Sequence, residues 1–123
     1  MTEISRETVG RLKAIVIDVG DLEKAVEFWS SLTGYVFGPW ATVQHRATVM
    51  PESGLRLILQ QVPELKTSKT RVHLDIGVSD IEHALHQVET LGGSFVERVH
   101  THTGGSFIIC ADPDDNEFCL IPA

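Results

Sequence analysis

The stretch Ile17-Asp-Val-Gly-Asp-Leu-Glu-Lys-Ala-Val-Glu-Phe-Trp-Ser-Ser-Leu-Thr-Gly34 decides the fold, because a similar stretch returns 59 residues later as Ile76-Gly-Val-Ser-Asp-Ile-Glu-His-Ala-Leu-His-Gln-Val-Glu-Thr-Leu-Gly-Gly93. Seven of the 18 aligned positions are identical. These positions are Ile17/Ile76, Val19/Val78, Asp21/Asp80, Glu23/Glu82, Ala25/Ala84, Leu32/Leu91 and Gly34/Gly93. Similarity at a fixed offset indicates two copies of one supersecondary unit.

Each copy is expected to begin with a strand and to continue as an amphipathic helix. The strands, Lys13–Val19 and Val72–Val78, consist mostly of β-branched and aliphatic residues. Asp21 and Asp80 are good N-cap residues, because a carboxylate accepts hydrogen bonds from the free N–H groups of the first turn. The apolar residues that follow recur at helical spacing. They are Leu22, Ala25, Val26, Trp29 and Leu32 in the first copy, and Ile81, Ala84, Leu85, Val88 and Leu91 in the second.

Three short strands are expected after each helix. In the first copy they are Tyr35–Trp40, Gln44–Met50 and Leu55–Gln61, and in the second they are Ser94–Val99, Ser106–Ala111 and Glu117–Ile121. The sequence thus predicts an α+β protein in which two tandem βαβββ modules form one curved mixed sheet, a half-barrel cleft, with the helices on the convex face. We expect one domain over residues 1–123, with modules at about 11–62 and 71–122 joined by a polar linker at about 63–70, since neither module buries its sheet face alone.

The cleft face of the second module is expected to carry the polar groups. Alternate side chains of a strand point to opposite faces. His73 and Asp75 of its first strand therefore share one face, and so do Glu117 and Cys119 of its last strand. Imidazole and carboxylate are suited to proton transfer or metal binding, so His73 and Glu117 are the candidate catalytic residues. Asp75 and Cys119 are candidate ligand-binding residues.

The first module is expected to contribute an apolar wall to the same cleft. Its candidate residues are Ala14, Val16, Leu55 and Leu57, and Trp40 is placed at the mouth of the pocket. We count Ala14, Leu57 and Trp40 among the candidate ligand-binding residues. A cleft with this mixture of surfaces suits a small-molecule ligand.

Charge and composition exclude several classes of partner. The chain has 10 Lys and Arg against 17 Asp and Glu, a formal net charge of −7, and no basic run, so nucleic acid is not an expected partner. No apolar run reaches the roughly 20 residues that span a bilayer, so we expect no membrane partner. The polar N-terminus resembles no signal peptide, and the chain has 2 cysteines, which favours the cytoplasm.

Three segments resemble the vicinal oxygen chelate (glyoxalase/bleomycin-resistance/dioxygenase) superfamily, in particular its short glyoxalase-like members. Leu12–Trp29 resembles the opening strand and helix, and Arg71–Ile76 resembles the start of the second module. Ala111–Leu120 is similar to the "DPxGNxF" ending of many members. The resemblance implies a small-molecule ligand and a homodimer.

The same resemblance implies metal ligands on the first and last strand of each module. His73 and Glu117 match those positions in the second module. In the first module Ala14 and either Leu55 or Leu57 take the equivalent places, and neither Ala nor Leu donates electron pairs. If a divalent metal binds, His73 and Glu117 are its ligands, but these two fall short of the usual three, so no cofactor is predicted.

Three functions stay open from the sequence. One is a lyase, isomerase or dioxygenase that uses His73 and Glu117, with a degenerate metal site. The alternative is a non-catalytic protein that sequesters a small antibiotic-type molecule without a metal. A third is a regulatory or interaction module.

Overall fold

The computed structural model describes residues 10–38, 46–49 and 55–123. In chain order the elements are β1 (Ala14–Val19), α1 (Leu22–Thr33), β2 (Arg46–Val49), β3 (Arg56–Gln61), β4 (Leu74–Val78), α2 (Ile81–Thr90), β5 (Ser94–His100), β6 (Ser106–Ala111) and β7 (Glu117–Pro122). The second module therefore has the predicted βαβββ order, and the predicted α+β class is confirmed. Neither helix is long and apolar enough to cross a membrane.

Both helices begin where the sequence predicts. The side chain of Asp21 accepts a hydrogen bond from the backbone N–H of Lys24, and Asp80 does the same for His83. The end of α1 is also as predicted, because Gly34 has a φ of 77° and its N–H donates to the carbonyl of Ser30. The two N-caps are therefore equivalent, and each fixes where its helix begins.

The strands form two open sheets, with the orders β1-β3-β2 and β4-β7-β6-β5. In each sheet the first strand of the module runs parallel to the last strand, and the remaining pairs are antiparallel. The sheets are mixed and open, as predicted, but hydrogen bonding divides the strands between two sheets instead of one. Within the described residues β1 pairs only with β3, and β4 only with β7. Each therefore has an edge without a strand partner.

The strand predicted over Tyr35–Trp40 is not found in its described part. Residues 35–38 have no strand conformation, and Trp40 lies outside the described residues. A local hydrogen bond accounts for the difference, because the N–H of Tyr35 donates to the hydroxyl of Thr33 at 3.1 Å instead of to a neighbouring strand. Such side-chain bonds compete with sheet pairing.

One apolar core joins the two modules. The rings of Phe28 and Trp29 from α1 pack edge to face against Phe118 of β7, with centroids 5.9 and 5.3 Å from it. The turn between β6 and β7 adds polar links, since Trp29 Nε1 donates to Asp112 at 3.1 Å and Asn116 Nδ2 donates to the carbonyl of Asp18 at 2.9 Å. Burial raises the pKa of Asp112, and the donors from Asn116, Trp29 and Asp114 oppose that rise.

Candidate functional site

His73 and Glu117 lie side by side on the second sheet. Glu117 is the first residue of β7 and His73 directly precedes β4, so the parallel pairing of these strands places them next to each other. His73 Nε2 is 3.8 Å from Glu117 Oε1. The Glu117 side chain is 15% exposed, and its Oε1 atom is buried without a hydrogen-bond partner in the described residues. A buried carboxylate oxygen without a donor is costly, so this atom is the most unusual polar group of the site.

Two residues of the linker, Lys69 and Thr70, complete the surroundings of Glu117. Lys69 Nζ lies 3.7 Å from Glu117 Oε1, and Lys69 itself is 74% exposed. The Thr70 hydroxyl accepts a hydrogen bond from the Glu117 N–H at 3.3 Å, and the Thr70 carbonyl is 3.2 Å from His73 Nε2. Neither residue is predicted from the sequence, in which residues 63–70 are interpreted only as a linker. Sequence position alone does not show that the linker runs past the start of β4 and β7.

Cys119 occupies the other side of the His73 ring. Its Sγ is 3.8 Å from His73 Nδ1. A carbonyl oxygen accepts only, so the Thr70 carbonyl favours a proton on Nε2, and Nδ1 is then free to accept from the thiol. Burial raises the pKa of Cys119, and Asp75 and Glu117 raise it further. The structure therefore gives Cys119 the role of a buried thiol that orients His73, and it does not favour a nucleophilic thiolate.

Glu117 borders a hollow of about 240 Å³ between the two modules. Its polar lining comes from Glu117, Thr70, Asn116 and Asp18, and the rest of the wall is mainly aliphatic. A larger hollow of about 720 Å³ lies between the linker and the turn at 113–116, and Glu117 does not line it. His73 lines neither of these two hollows. We place the candidate site at the smaller hollow, because that hollow combines apolar walls with a few converging polar residues, one of them Glu117.

The register of β3 corrects the predicted apolar wall. Ile15 of β1 pairs with Leu57, just as Leu74 of β4 pairs with Phe118, so Leu57 lies on the helix side of its strand and is buried. The residue equivalent to Glu117 is therefore Arg56, which pairs with Ala14. Assigning Leu55 or Leu57 to that position was wrong. The signal that could have shown it is the alternation in β3, where two polar residues, Arg56 and Gln60, share one face.

The other predicted ligand-binding residues are spread over the site. Cys119 is buried beside His73, and Asp75 is exposed and pairs with Cys119 across the sheet. Ala14 is half-buried at the start of β1. Trp40 lies outside the described residues. The structure thus brings together His73, Glu117 and Cys119 and leaves Asp75 at the rim.

The donor set does not fit a resident divalent metal held by three ligands of one chain. In the described residues no group of three or more His, Cys, Asp and Glu side chains is arranged to hold a metal ion. His73 turns its two ring nitrogens toward different partners, so Cys119 and Glu117 do not converge on one point. The equivalent positions of the first module, Ala14 and Arg56, add no ligand, since guanidinium is a cation without an acceptor.

Comparison with known proteins identifies the family. Residues 14–121 match the family model described as "Glyoxalase-like domain", and the chain belongs to this family. No curated protein matches the chain.

Solved structures show the same fold at low sequence identity. The fosfomycin resistance protein FosX from Listeria monocytogenes is 18% identical, with a TM-score of 0.73 over 94% of this chain and 95% of FosX. A variant of that protein was solved with Mn(II) and 1S,2S-dihydroxypropylphosphonic acid. A glyoxalase-related enzyme from Fulvimarina pelagi is 16% identical, with a TM-score of 0.70 over 94% and 89% of the two chains. The oxidase ChaP-H2 is 16% identical, with a TM-score of 0.66 over 94% and 95%.

Proposed function

We propose that this chain binds a small oxygen-bearing molecule in the hollow beside Glu117. The observation that carries the proposal is the Glu117 carboxylate, which borders the hollow and whose Oε1 atom has no hydrogen-bond partner within the described residues. A hydroxyl or similar donor on a ligand would donate to this carboxylate, and the aliphatic wall of the hollow would hold the rest of the molecule. The fold is compatible with this role, since FosX was solved with a small dihydroxy compound.

A fragment screen tests this proposal. The wild-type chain is screened by thermal shift and ligand-observed NMR, and each hit is then measured against Glu117→Gln. The matched control is Glu27→Gln, because Glu27 is an exposed carboxylate of α1. We expect oxygen-bearing hits whose affinity falls about tenfold or more in Glu117→Gln and is unchanged in the control, since a hydrogen bond to a buried charged group contributes about 1.5–3 kcal/mol. Hits that bind Glu117→Gln as tightly as the wild type would overturn the proposal.

A second candidate function is catalysis by proton transfer, as in a lyase. The observation that favours it is the distance of 3.8 Å between His73 Nε2 and Glu117 Oε1, since a carboxylate and an imidazole this close can hold and pass one proton. Thr70 and Cys119 orient the imidazole from opposite sides. No step through a metal is proposed, because the donors within the described residues do not complete a site for one.

Deuterium exchange separates catalysis from sequestration. Hits that carry a C–H next to a carbonyl are incubated with the protein in D₂O and followed by NMR. A catalyst would exchange that hydrogen, and Glu117→Gln and His73→Gln would lose the activity, whereas His86→Gln, a change at an exposed histidine of α2, would keep it. Binding without exchange would support sequestration. Metal content measured by elemental analysis on the same samples shows whether a stoichiometric ion accompanies either function.

A further inference from the structure

Three of the residues that line the smaller hollow have a side chain that can donate a hydrogen bond, namely Trp29, Thr70 and Asn116. Trp29 Nε1 donates to Asp112 at 3.1 Å. Asn116 Nδ2 donates to the Asp18 carbonyl at 2.9 Å and to Asp112 at 3.0 Å, so both of its N–H groups are used. The Thr70 hydroxyl is therefore the one side-chain donor of this hollow without a protein acceptor in the described part of the chain.

The Thr70 hydroxyl is held in place by a bond that leaves its proton free. Its oxygen accepts from the Glu117 N–H at 3.3 Å. A hydroxyl has one proton to donate and two lone pairs that accept, so this bond occupies a lone pair only. Thr70 is half-buried and lines both the smaller and the larger hollow. A ligand that enters the smaller hollow from the linker side therefore meets a positioned donor.

The charges around the smaller hollow disfavour an anionic ligand. Two carboxylates, those of Asp18 and Glu117, line it, and none of its described lining residues is Lys or Arg. Carboxylates repel a further negative charge. The apolar part of the wall consists of Ile15, Val16, Ile17, Trp29, Val72 and Leu74. The hollow thus suits an uncharged or cationic molecule with an apolar body.

We infer that Thr70 determines the specificity of the hollow by donating its hydroxyl proton to an oxygen of the ligand, and that the ligand is a neutral alcohol with an apolar body. An alcohol oxygen can accept from Thr70 while its proton is donated to Glu117, whereas an ether only accepts and an ammonium group only donates. The inference rests on the proposed function, which supplies the bond to Glu117. It adds the bond from Thr70 and the chemical class of the ligand.

Three probes that share a phenyl group separate the two bonds. Benzyl alcohol accepts and donates, benzyl methyl ether only accepts, and benzylammonium only donates, and the dissociation constant of each is measured by NMR titration at neutral pH. In Thr70→Val we expect the alcohol and the ether to bind about fivefold more weakly than in the wild type, because a neutral hydrogen bond is lost. Benzylammonium should bind as before. In Glu117→Gln the alcohol and the ammonium compound should lose affinity, while the ether keeps it.

Control variants distinguish recognition by Thr70 from a structural role. Thr67→Val makes the same change at an exposed threonine of the linker that lines the larger hollow but not the smaller one, and all three affinities should stay unchanged. Thr70→Ser keeps the hydroxyl and should restore binding of the alcohol and the ether. If circular dichroism shows that Thr70→Val is unfolded, Thr70→Cys takes its place, since a thiol is a weak donor and should produce the same selective loss.

The outcomes for Thr70 and for Glu117 are read from different probes. Unchanged binding of the ether in Thr70→Val, an equal loss for all three probes in that variant, or no binding of any probe to the wild type would overturn the inference. The proposed function fails separately, if Glu117→Gln binds the alcohol and benzylammonium as tightly as the wild type does while Thr70→Val still weakens the ether.

Discussion

The two modules share one architecture but differ at the same pair of positions. The second module has His73 and Glu117 at the start of its two parallel strands, whereas the first has Ala14 and Arg56. Both modules share the first strand, the capping aspartate and the apolar stripe of the helix. These shared features give each module the same fold. The difference shows that only one copy retains a carboxylate–imidazole pair and that the other offers a cation and hydrocarbon.

The largest expected effect concerns the core that unites the modules. Phe118→Ala should lower the free energy of unfolding by about 3–5 kcal/mol, because Phe118 is fully buried between Phe28 and Trp29 of the other module. Urea unfolding followed by circular dichroism measures the loss, and Leu65→Ala, at an exposed residue, is the control. Two separate unfolding transitions in the wild type would contradict a shared core.

The turn between β6 and β7 should rank second. Asp112 accepts hydrogen bonds from Trp29, Asp114 and Asn116, so Asp112→Ala leaves several donors without a partner and should cost about 2–4 kcal/mol of stability. The same denaturation measurement checks this value. A loss of stability smaller than that of the exposed control Leu65→Ala would show that the turn does not hold the modules together.

The pH dependence of stability gives a test of Asp112 that needs no ligand. Its folded pKa is raised by burial, so the folded state binds the proton more tightly than the unfolded state does. The resulting stabilisation is complete below the unfolded pKa of about 4 and is lost as the pH rises through the folded value. The wild type should therefore gain stability relative to Asp112→Asn as the pH falls from 7 toward about 4. A constant difference between the two proteins over that range would contradict the account.

Two substitutions that each remove a charge, one in each module, test the difference between the modules. Glu117→Gln should stabilise the ligand-free protein by about 1 kcal/mol, because it removes a carboxylate whose buried Oε1 atom has no donor. Arg56→Gln, at the equivalent position of the first module, should change stability by less than about 0.5 kcal/mol. Thermal unfolding at neutral pH measures both. Destabilisation by Glu117→Gln would mean that the carboxylate serves the fold and not a ligand.

The smallest expected effect is on thiol reactivity. Burial raises the pKa of Cys110 to about 11, with contributions from Cys119 and Glu89, and it also raises the pKa of Cys119. Alkylation by iodoacetamide at pH 8 should be slower at both residues than at a free thiol, because little thiolate is present. Mass spectrometry of the labelled peptides checks each site. Rapid labelling of Cys119 would contradict its assignment as a buried residue that orients His73.

The sequence predicts the features that recur in both modules and those that follow from the period of a strand or helix. Asp21 and Asp80 at the helix starts, both helices, and the neighbouring positions of His73 and Glu117 follow from spacing, since a strand has period 2 and a helix about 3.6. Contacts made by irregular chain do not follow from spacing. The approach of Lys69 and Thr70 to Glu117 depends on the path of the linker, and the local hydrogen bond of Tyr35 replaces a predicted strand.

The register of β3 is predictable from the sequence only in part. The 59-residue offset that aligns β1 with β4 does not hold for the last strands, because the second module has two more residues before β7 than the first has before β3. Carried unchanged, the offset would align Glu117 with Ile58, which shares its face of β3 with Arg56, whereas the choice of Leu55 or Leu57 turns the wrong face of β3 toward the cleft. The polar residues Arg56 and Gln60 mark the face correctly once alternation within β3 is considered by itself.

The most direct test of the central claim is a crystal structure of the chain with a fragment hit bound. We predict that His73 Nε2 lies within about 4 Å of Glu117 Oε1 and that a donor of the ligand lies within hydrogen-bond distance of the Glu117 carboxylate. A structure in which the two side chains point to opposite faces of the sheet, or in which a protein N–H already satisfies Glu117 Oε1 and the ligand binds elsewhere, would contradict the account.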